Sequence, residues 1–320
     1  MSGAAGQRPS FRHELLLHRD DDELLAVVVP FVLDGLAAGE PVFVGGGERC
    51  AGLLRAHLGP DRDVTWLRPP GEHTARAIAD LLNQFAYLAD NGVDAIRVVG
   101  QVPTVDHRGE PWRPWPTFES VLNDAAAELP VWGICPVDLR VTPADAADAA
   151  CRAHPRLTGP GGSRANPDYV EPGRFLRELP SAPPDPIEAS PPTIELHDVT
   201  RAHCVRAAVR ELGASLFEAD PLEDLIVAVG EVTSNAIGHG IAPVSVRLWA
   251  TPRRLVVAVT DRGSGPLDPA VGFLPPRPLR EGGYGLWIAR QYCDRLDIST
   301  GPQGCTVRMV AHASALPVTC

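Results

Sequence analysis

At 320 residues the chain is about twice the length of a typical domain, and with 44% apolar and 22% charged residues it has the composition of a chain that folds. Its 29 basic residues are all arginine. The absence of lysine excludes a Walker phosphate loop, a kinase of the eukaryotic type with its strand lysine, and a pyridoxal phosphate Schiff base.

The net charge of −11 sits in the first part: residues 1–192 hold 17 Arg against 27 acidic residues, and residues 193–320 hold 12 against 13. Neither balance is that of a basic nucleic-acid face. No basic-then-apolar leader opens the chain, and apolar stretches such as Leu24–Leu33 are too short to span a bilayer, so a cytosolic protein is expected. Seven cysteines, at 50, 135, 151, 204, 293, 305 and 320, form no CxxC pair and show no Cys/His metal spacing. Reduced, mostly buried thiols are expected.

In chain order, the pattern predicts a helix near Asp22–Ala38, a strand Pro41–Gly45, a helix near Arg49–Leu58 and a strand Val64–Leu67. A helix near Thr74–Asn91, a strand Ile96–Val99, a helix near Thr117–Leu129 and a strand Val131–Cys135 follow. Such alternation means a mostly parallel sheet with helices packed on it. From Thr158 to Thr193 periodicity disappears and proline accumulates, most densely between Leu179 and Pro192, which reads as a semi-rigid extended linker. After it, Thr200 can cap a helix running to about Phe217. In a second helix, Asp220 at the N-cap, Pro221 at N1 and Glu223 at N3 form an expected capping box, with Leu222, Leu225, Ile226, Val229 and Val232 on the apolar face. Strands Val244–Ala250 and Arg254–Thr260, a glycine-rich region, a helix near Tyr284–Arg295 and a hairpin of Asp297–Thr300 with Cys305–Ala311 complete a two-layer unit with helices on one face of an antiparallel sheet.

Chemistry concentrates in this second part. Glu231 and Asn235 stand four residues apart on one helix face, with His239 four further on. A carboxylate beside an amide can position an attacking hydroxyl or water and complete the shell of a Mg²⁺ ion, although Glu and Asn on a helix are more often a solvated face. Asp261 ends a strand and is followed by Gly263 and Gly265, so it can accept a hydrogen bond from an exocyclic amine while the backbone approaches a flat ring. Gly282-Gly283-Tyr284-Gly285-Leu286 opens a helix, placing backbone N–H groups and the positive dipole end where phosphates bind.

In this order the three elements resemble the N, G1 and G2 boxes of the GHKL ATPase superfamily, and most closely the anti-sigma factor serine/threonine kinases of the RsbW and SpoIIAB type. The resemblance covers residues 194–315 and implies the α+β two-layer sandwich of the Bergerat fold, with ATP and Mg²⁺ as cofactors. It implies Glu231 as general base, Asn235 as Mg²⁺ ligand, Asp261 as reader of the adenine amine and Thr306 in its support. His239, Gly263, Gly265, Gly283, Gly285 and Leu286 complete the nucleotide-binding set. With no lysine available, Arg277 or Arg280 in the lid-like stretch Pro266–Glu281 would approach the γ-phosphate. The implied partners are a sigma factor or a STAS-type anti-sigma antagonist, a homodimer is left open, and neither a nucleic acid nor a membrane is implied. A non-catalytic ATP-dependent switch is the alternative. A sensor of the histidine-kinase kind is another, against which stands the missing phosphoacceptor box; His203 reads as structural.

Phe11-Arg-His13 to His18, Pro30 to Glu40, Cys135-Pro-Val-Asp138 and His154-Pro155 resemble the MEDS sensory domain over residues 11–178. That implies a RecA/KaiC-like α/β fold and a small hydrocarbon-type ligand. His13 and His18 could face such a ligand, although surface or packing roles are commoner for two such histidines. Gly45-Gly46-Gly47 reads as a plain turn. The expected layout is thus a sensory domain at 11–178, a linker at 179–193 and an ATPase domain at 194–315.

Overall fold

The computed structural model describes residues 11–59, 62–67, 74–101, 115–180, 183–274 and 284–313. Two compact units meet in sequence between Glu178 and Leu179. No helix among the described residues is long and apolar enough to cross a membrane.

The first unit runs β1 (Arg12–His18), α1 (Asp21–Ala37), β2 (Val42–Gly45), α2 (Glu48–Leu58), β3 (Val64–Trp66), α3 (Thr74–Asp90), β4 (Ile96–Gly100), α4 (Trp115–Ala125), β5 (Val131–Asp138), α5 (Ala144–Ala153), β6 (Arg156–Thr158), β7 (Arg164–Ala165) and α6 (Pro172–Glu178). Its sheet has the order β3-β2-β4-β5-β1-β6-β7 and is parallel except for the edge strand β7. The mostly parallel α/β expectation holds.

Strand β1 is absent from the expected elements because it shows no alternation. Its Leu15-Leu16-Leu17 run is buried on both faces, as a central parallel strand requires. Leu16 packs with Val28, Val32 and Ile134 on one side, and Leu15 with Trp115, Val137 and Ala150 on the other. Helix α1 starts where Asp20 accepts from the Glu23 N–H at 2.8 Å, with Asp21, Asp22 and Glu23 at the positive end of the helix dipole. Helices α5 and α6 also lie outside the expected set, α6 within the stretch where periodicity was lost.

The second unit contains a short 3₁₀ turn (Pro186–Ala189), β8 (Ile194–Leu196), α7 (Ala202–Gly213), α8 (Ala219–His239), β9 (Ser245–Thr251), β10 (Arg254–Asp261), α9 (Tyr284–Tyr292), β11 (Arg295–Gly301) and β12 (Gly304–His312). Its five strands pair antiparallel in the order β11-β12-β10-β9-β8. Leu222, Leu225, Ile226, Val229 and Val232 of α8 pack onto Leu255, Val257 and Val259 of β10, as the helical spacing predicts. The capping box at Asp220 does not form. Helix α8 begins two residues earlier, with Glu218 at its N-cap and no side-chain cap, and Glu223 turns instead to Arg210 of α7 at 3.1 Å. Helix α7 likewise starts after Arg201, without a side-chain cap, and ends at Gly213.

The proline-rich segment is seated on the sheet face opposite the helices. Ile187 packs on Trp249, Val256, Ala258 and Val310, and the Trp249 indole N–H donates to the Ser190 carbonyl at 2.9 Å. The 3₁₀ turn carries its own capping box: Asp185 accepts from the Ile187 N–H and Glu188 from the Asp185 N–H. Glu188 also pairs with Arg308 of β12. Both faces of β10 are therefore covered, which explains its unbroken buried run from Leu255 to Val259.

Candidate functional site

Helix α8 organises the site by touching two different loops along its length. At its C-terminal end the backbone of Gly240 lies against Asp261, so closely that a Cβ there would fall 2.5 Å from the Asp261 Cγ. Asp261 is 7% exposed, and its Oδ1 accepts from the Ile241 N–H at 3.1 Å and the Gly263 N–H at 2.6 Å. Oδ2 has no partner among the described residues and is the free acceptor of this carboxylate. Gly263 is buried beside it, and Gly265 lies against Thr300 and Cys305.

About one and a half to two and a half turns earlier on α8, Asn235 and Glu231 are half-buried and converge on the first turn of α9. A Cβ at Gly285 would lie 2.8 Å from Asn235 Nδ2 and 3.0 Å from Glu231 Oε2. The missing side chain is what lets the start of α9, whose first N–H groups have no partner within the helix, approach the carboxylate and the amide. Glu231 and Gly240 are separated by about 13 Å of helix axis. A free carboxylate oxygen and a carboxylate–amide pair thus sit at two points along the C-terminal half of one helix, with glycine backbone opposite each.

The other expected residues have separate placements. Thr306 on β12 faces Thr260 on β10, their hydroxyl oxygens 2.9 Å apart, one residue along from the pairing of Cys305 with Asp261. Thr260 is absent from the sequence reading; only the strand register brings it beside Thr306. His239 is the exposed last residue of α8. Leu286 packs into the core of the unit, and the backbone at Gly272 lies close upon it. Gly283, Arg277 and Arg280 lie outside the described residues.

The start of the lid-like stretch is anchored. The Phe273 ring stacks 3.6 Å from the Arg290 guanidinium, which is buried and also donates to the Leu296 carbonyl at 2.8 Å. Burial lowers the Arg290 pKa to about 10, with acidic neighbours opposing the effect, so the group stays charged at neutral pH. It ties α9 to the segment that precedes Gly283 in the chain. Neither Phe273 nor Arg290 carried a motif signal.

In the first unit the two histidines of β1 are both 2% exposed, and they face opposite sides of the sheet. His18 directs Nδ1 to the Asp20 carbonyl at 3.0 Å, while His13 directs Nδ1 to Asn123 at 3.1 Å. The Gly47 N–H donates to the Gln101 side chain, in keeping with a plain turn at Gly45–Gly47.

Comparison with known proteins separates the same two parts. Residues 12–155 match the family described as the MEthanogen/methylotroph, DcmR Sensory domain (MEDS), and residues 197–311 match the histidine kinase-like ATPase domain. The chain is 31% identical over 106 residues to the serine-protein kinase RsbW of Bacillus velezensis, covering 29% of this chain and 66% of that protein. It is 30% identical over 95 residues to the serine-protein kinase RsbW of Halalkalibacterium halodurans, covering 25% and 56%. The chain thus spans less than two thirds of either relative. Among solved structures, the RsbU and RsbW domains of a Mycobacterium tuberculosis protein align at 24% identity and a TM-score of 0.28, over 39% of this chain and 34% of that one. The chain therefore carries a MEDS sensory domain in its first unit and a histidine kinase-like ATPase domain in its second.

Proposed function

We propose that the second unit binds Mg·ATP and acts as an anti-sigma-factor-type serine/threonine kinase, which controls transcription through partner switching under the influence of a ligand sensed by the first unit. The observation that carries this reading is the placement of Asp261 at the C-terminal end of α8 and of the Glu231–Asn235 pair further back on the same helix, each closed by glycine backbone. The residues fit the nucleotide: Asp261 has one carboxylate oxygen fixed by two backbone donors and the other free for the adenine amine. Asn235 would complete the octahedral shell of Mg²⁺, and the N–H groups opening α9 would face the phosphates. Bound Mg·ATP supplies the phosphoryl group. Glu231 would accept the proton of the attacking serine or threonine hydroxyl, since catalysis of this transfer is chiefly positioning and charge neutralisation.

The partners under this reading are a sigma factor or a STAS-type antagonist. A RecA/KaiC-like origin for the first unit is supported by its central β1, which lies between β5 and β6 in a parallel sheet. The carboxyl ends of β1 and β5, where strand order reverses, are where open α/β sheets bind ligands. His18, Asp138 and Asp21 lie there, and His18 Nε2 is buried without a hydrogen-bond partner among the described residues.

The test is incubation of the full chain with labelled ATP and candidate antagonist proteins from the same cell. Glu231→Ala is expected to keep Mg·ATP binding and lose label transfer, whereas Asn235→Ala is expected to lose the Mg²⁺-dependent part of binding. ATP binding without transfer to any antagonist would favour the non-catalytic switch.

A further inference from the structure

We propose that the first unit holds one divalent transition-metal ion, zinc by its ligand set, through His13 Nε2, Glu119 Oε2, Cys135 Sγ and His154 Nε2. The four residues come from β1, α4, β5 and the C-cap of α5, so nothing in their sequence spacing announces them. The sheet register brings His13 and Cys135 onto one face, and Glu119 and His154 close over it. They are 2%, 7%, 8% and 0% exposed, and their four donor atoms all lie within 4.8 Å of one another.

Four of the six donor separations are close to those of a tetrahedral shell. Metal–nitrogen and metal–oxygen bonds of about 2.0–2.1 Å and a metal–sulfur bond of about 2.3 Å put N and O donors about 3.3 Å apart and N and S donors about 3.6 Å apart. Glu119 Oε2 stands 3.2 Å from His13 Nε2 and 3.2 Å from His154 Nε2. Cys135 Sγ stands 3.3 Å from His13 Nε2 and 3.8 Å from Glu119 Oε2.

The hydrogen bonds around the cluster fix which nitrogen of each ring is the ligand. Asn123 gives its Nδ2 protons to the Ser120 and Ala153 carbonyls at 3.1 and 2.8 Å, so its Oδ1 must face His13 Nδ1 as an acceptor. His13 therefore carries its proton on Nδ1. His154 Nδ1 faces the Ala150 carbonyl at 2.8 Å, a group that only accepts, and carries its proton there too. Both neutral rings then direct Nε2 lone pairs toward a carboxylate oxygen. Held Nδ1–H groups with convergent Nε2 atoms are what supporting hydrogen bonds do for metal-bound histidines. Among the described residues His154 Nε2 makes no hydrogen bond even though Glu119 is 3.2 Å away, a contact without donor geometry.

Charge points the same way. No arginine pairs with Glu119 among the described residues; the neighbours of its Oε2 are the two histidine nitrogens and the Cys135 thiol, and a buried carboxylate is costly without a cation. A divalent ion with one carboxylate, one thiolate and two neutral imidazoles has no net charge. Binding sends the Cys135 thiol proton to solvent. Imidazole and thiolate together select zinc or a similar borderline ion over Mg²⁺ or Ca²⁺, and four protein ligands make a closed site.

The test uses the full chain, stripped by chelator and titrated with Co²⁺ as a spectroscopic stand-in, followed by Zn²⁺ competition and metal analysis. Expected are one ion per chain, intense visible bands of a tetrahedral Co²⁺ centre and a near-ultraviolet thiolate charge-transfer band. That band is expected to vanish in Cys135→Ser and to persist in Cys204→Ser, which alters an exposed thiol. Asn123→Ala, which touches no metal, is expected to weaken Zn²⁺ roughly 10–100-fold by freeing the His13 ring. Should Cys135→Ser fail to fold by circular dichroism, Asn123→Ala and Glu119→Gln provide the same readout through affinity and band position. A folded wild type without the thiolate band overturns the proposal, as does a band that survives Cys135→Ser, or Zn²⁺ affinity unchanged in both Asn123→Ala and Glu119→Gln.

Discussion

Arg254 of β10 and Asp185 of the proline-rich segment form an ion pair at 2.9 Å in which the carboxylate is only 1% exposed. Arg295 of β11 reaches the other oxygen of the same carboxylate at 3.0 Å. A segment whose composition reads as a semi-rigid extended linker is thus fastened to the ATPase sheet by a buried charge, beside its contacts with Trp249.

Removing Asp185 leaves two arginines facing each other without their shared partner. Asp185→Ala is expected to destabilise the second unit by about 3 kcal/mol, the lower end for breaking a buried pair, because both arginines are one-quarter exposed. Urea unfolding followed by tryptophan fluorescence checks this, since Trp249 lies under the segment. A midpoint within error of wild type would mean that the anchorage contributes nothing.

At Asp261, asparagine can keep Oδ1 as acceptor for Ile241 and Gly263 while replacing Oδ2 with an NH₂ donor. Asp261→Asn is therefore expected to preserve the loop and weaken ATP binding by about 1.5–3 kcal/mol, the range for a hydrogen bond to a charged group. Titration calorimetry measures it; equal affinities would remove Asp261 from adenine recognition.

Gly285→Ala tests the other end of the site. The new methyl would press on the tips of Asn235 and Glu231 rather than on backbone, so the fold is expected to survive while the pair is displaced. Phosphoryl transfer is expected to fall roughly 100-fold, as for ångström-scale misplacement of catalytic groups. Wild-type transfer rates in this variant would separate the pair from the chemistry.

In the first unit, the Asp138 carboxyl is held down to about 2 from an ordinary 3.8, chiefly by the Arg140 side chain and against the effect of burial. A depressed folded-state value means that stability from this group is present above about pH 3.8 and is lost as pH falls through about 2. Wild type and Asp138→Asn are compared by denaturation at a series of pH values. Their stability difference is expected to shrink between pH 4 and 2, and a difference constant across that window would discount the ion pair.

Helix α8 was legible in the sequence because its apolar spacing and the Glu231–Asn235 pair are both local, fixed by a repeat of 3.6 residues. The ends were less so. Asp220 and Glu223 have the residue types of a capping box, but the chain reaches the helix two residues early and Glu223 finds Arg210 across the α7–α8 hairpin.

The order of the boxes, the absence of lysine and the alternation of strands and helices are properties of the chain, and they determined the two domain types and singled out Glu231, Asn235 and Asp261 as the candidate site. Only the tertiary structure placed Thr260 beside Thr306, seated Asp185 on Arg254, and drew His13, Glu119, Cys135 and His154 within 4.8 Å. The physical reason is the same in each case. Strand register and the burial of a charge join residues tens to more than a hundred positions apart, and local spacing carries no record of which distant group will be folded against which.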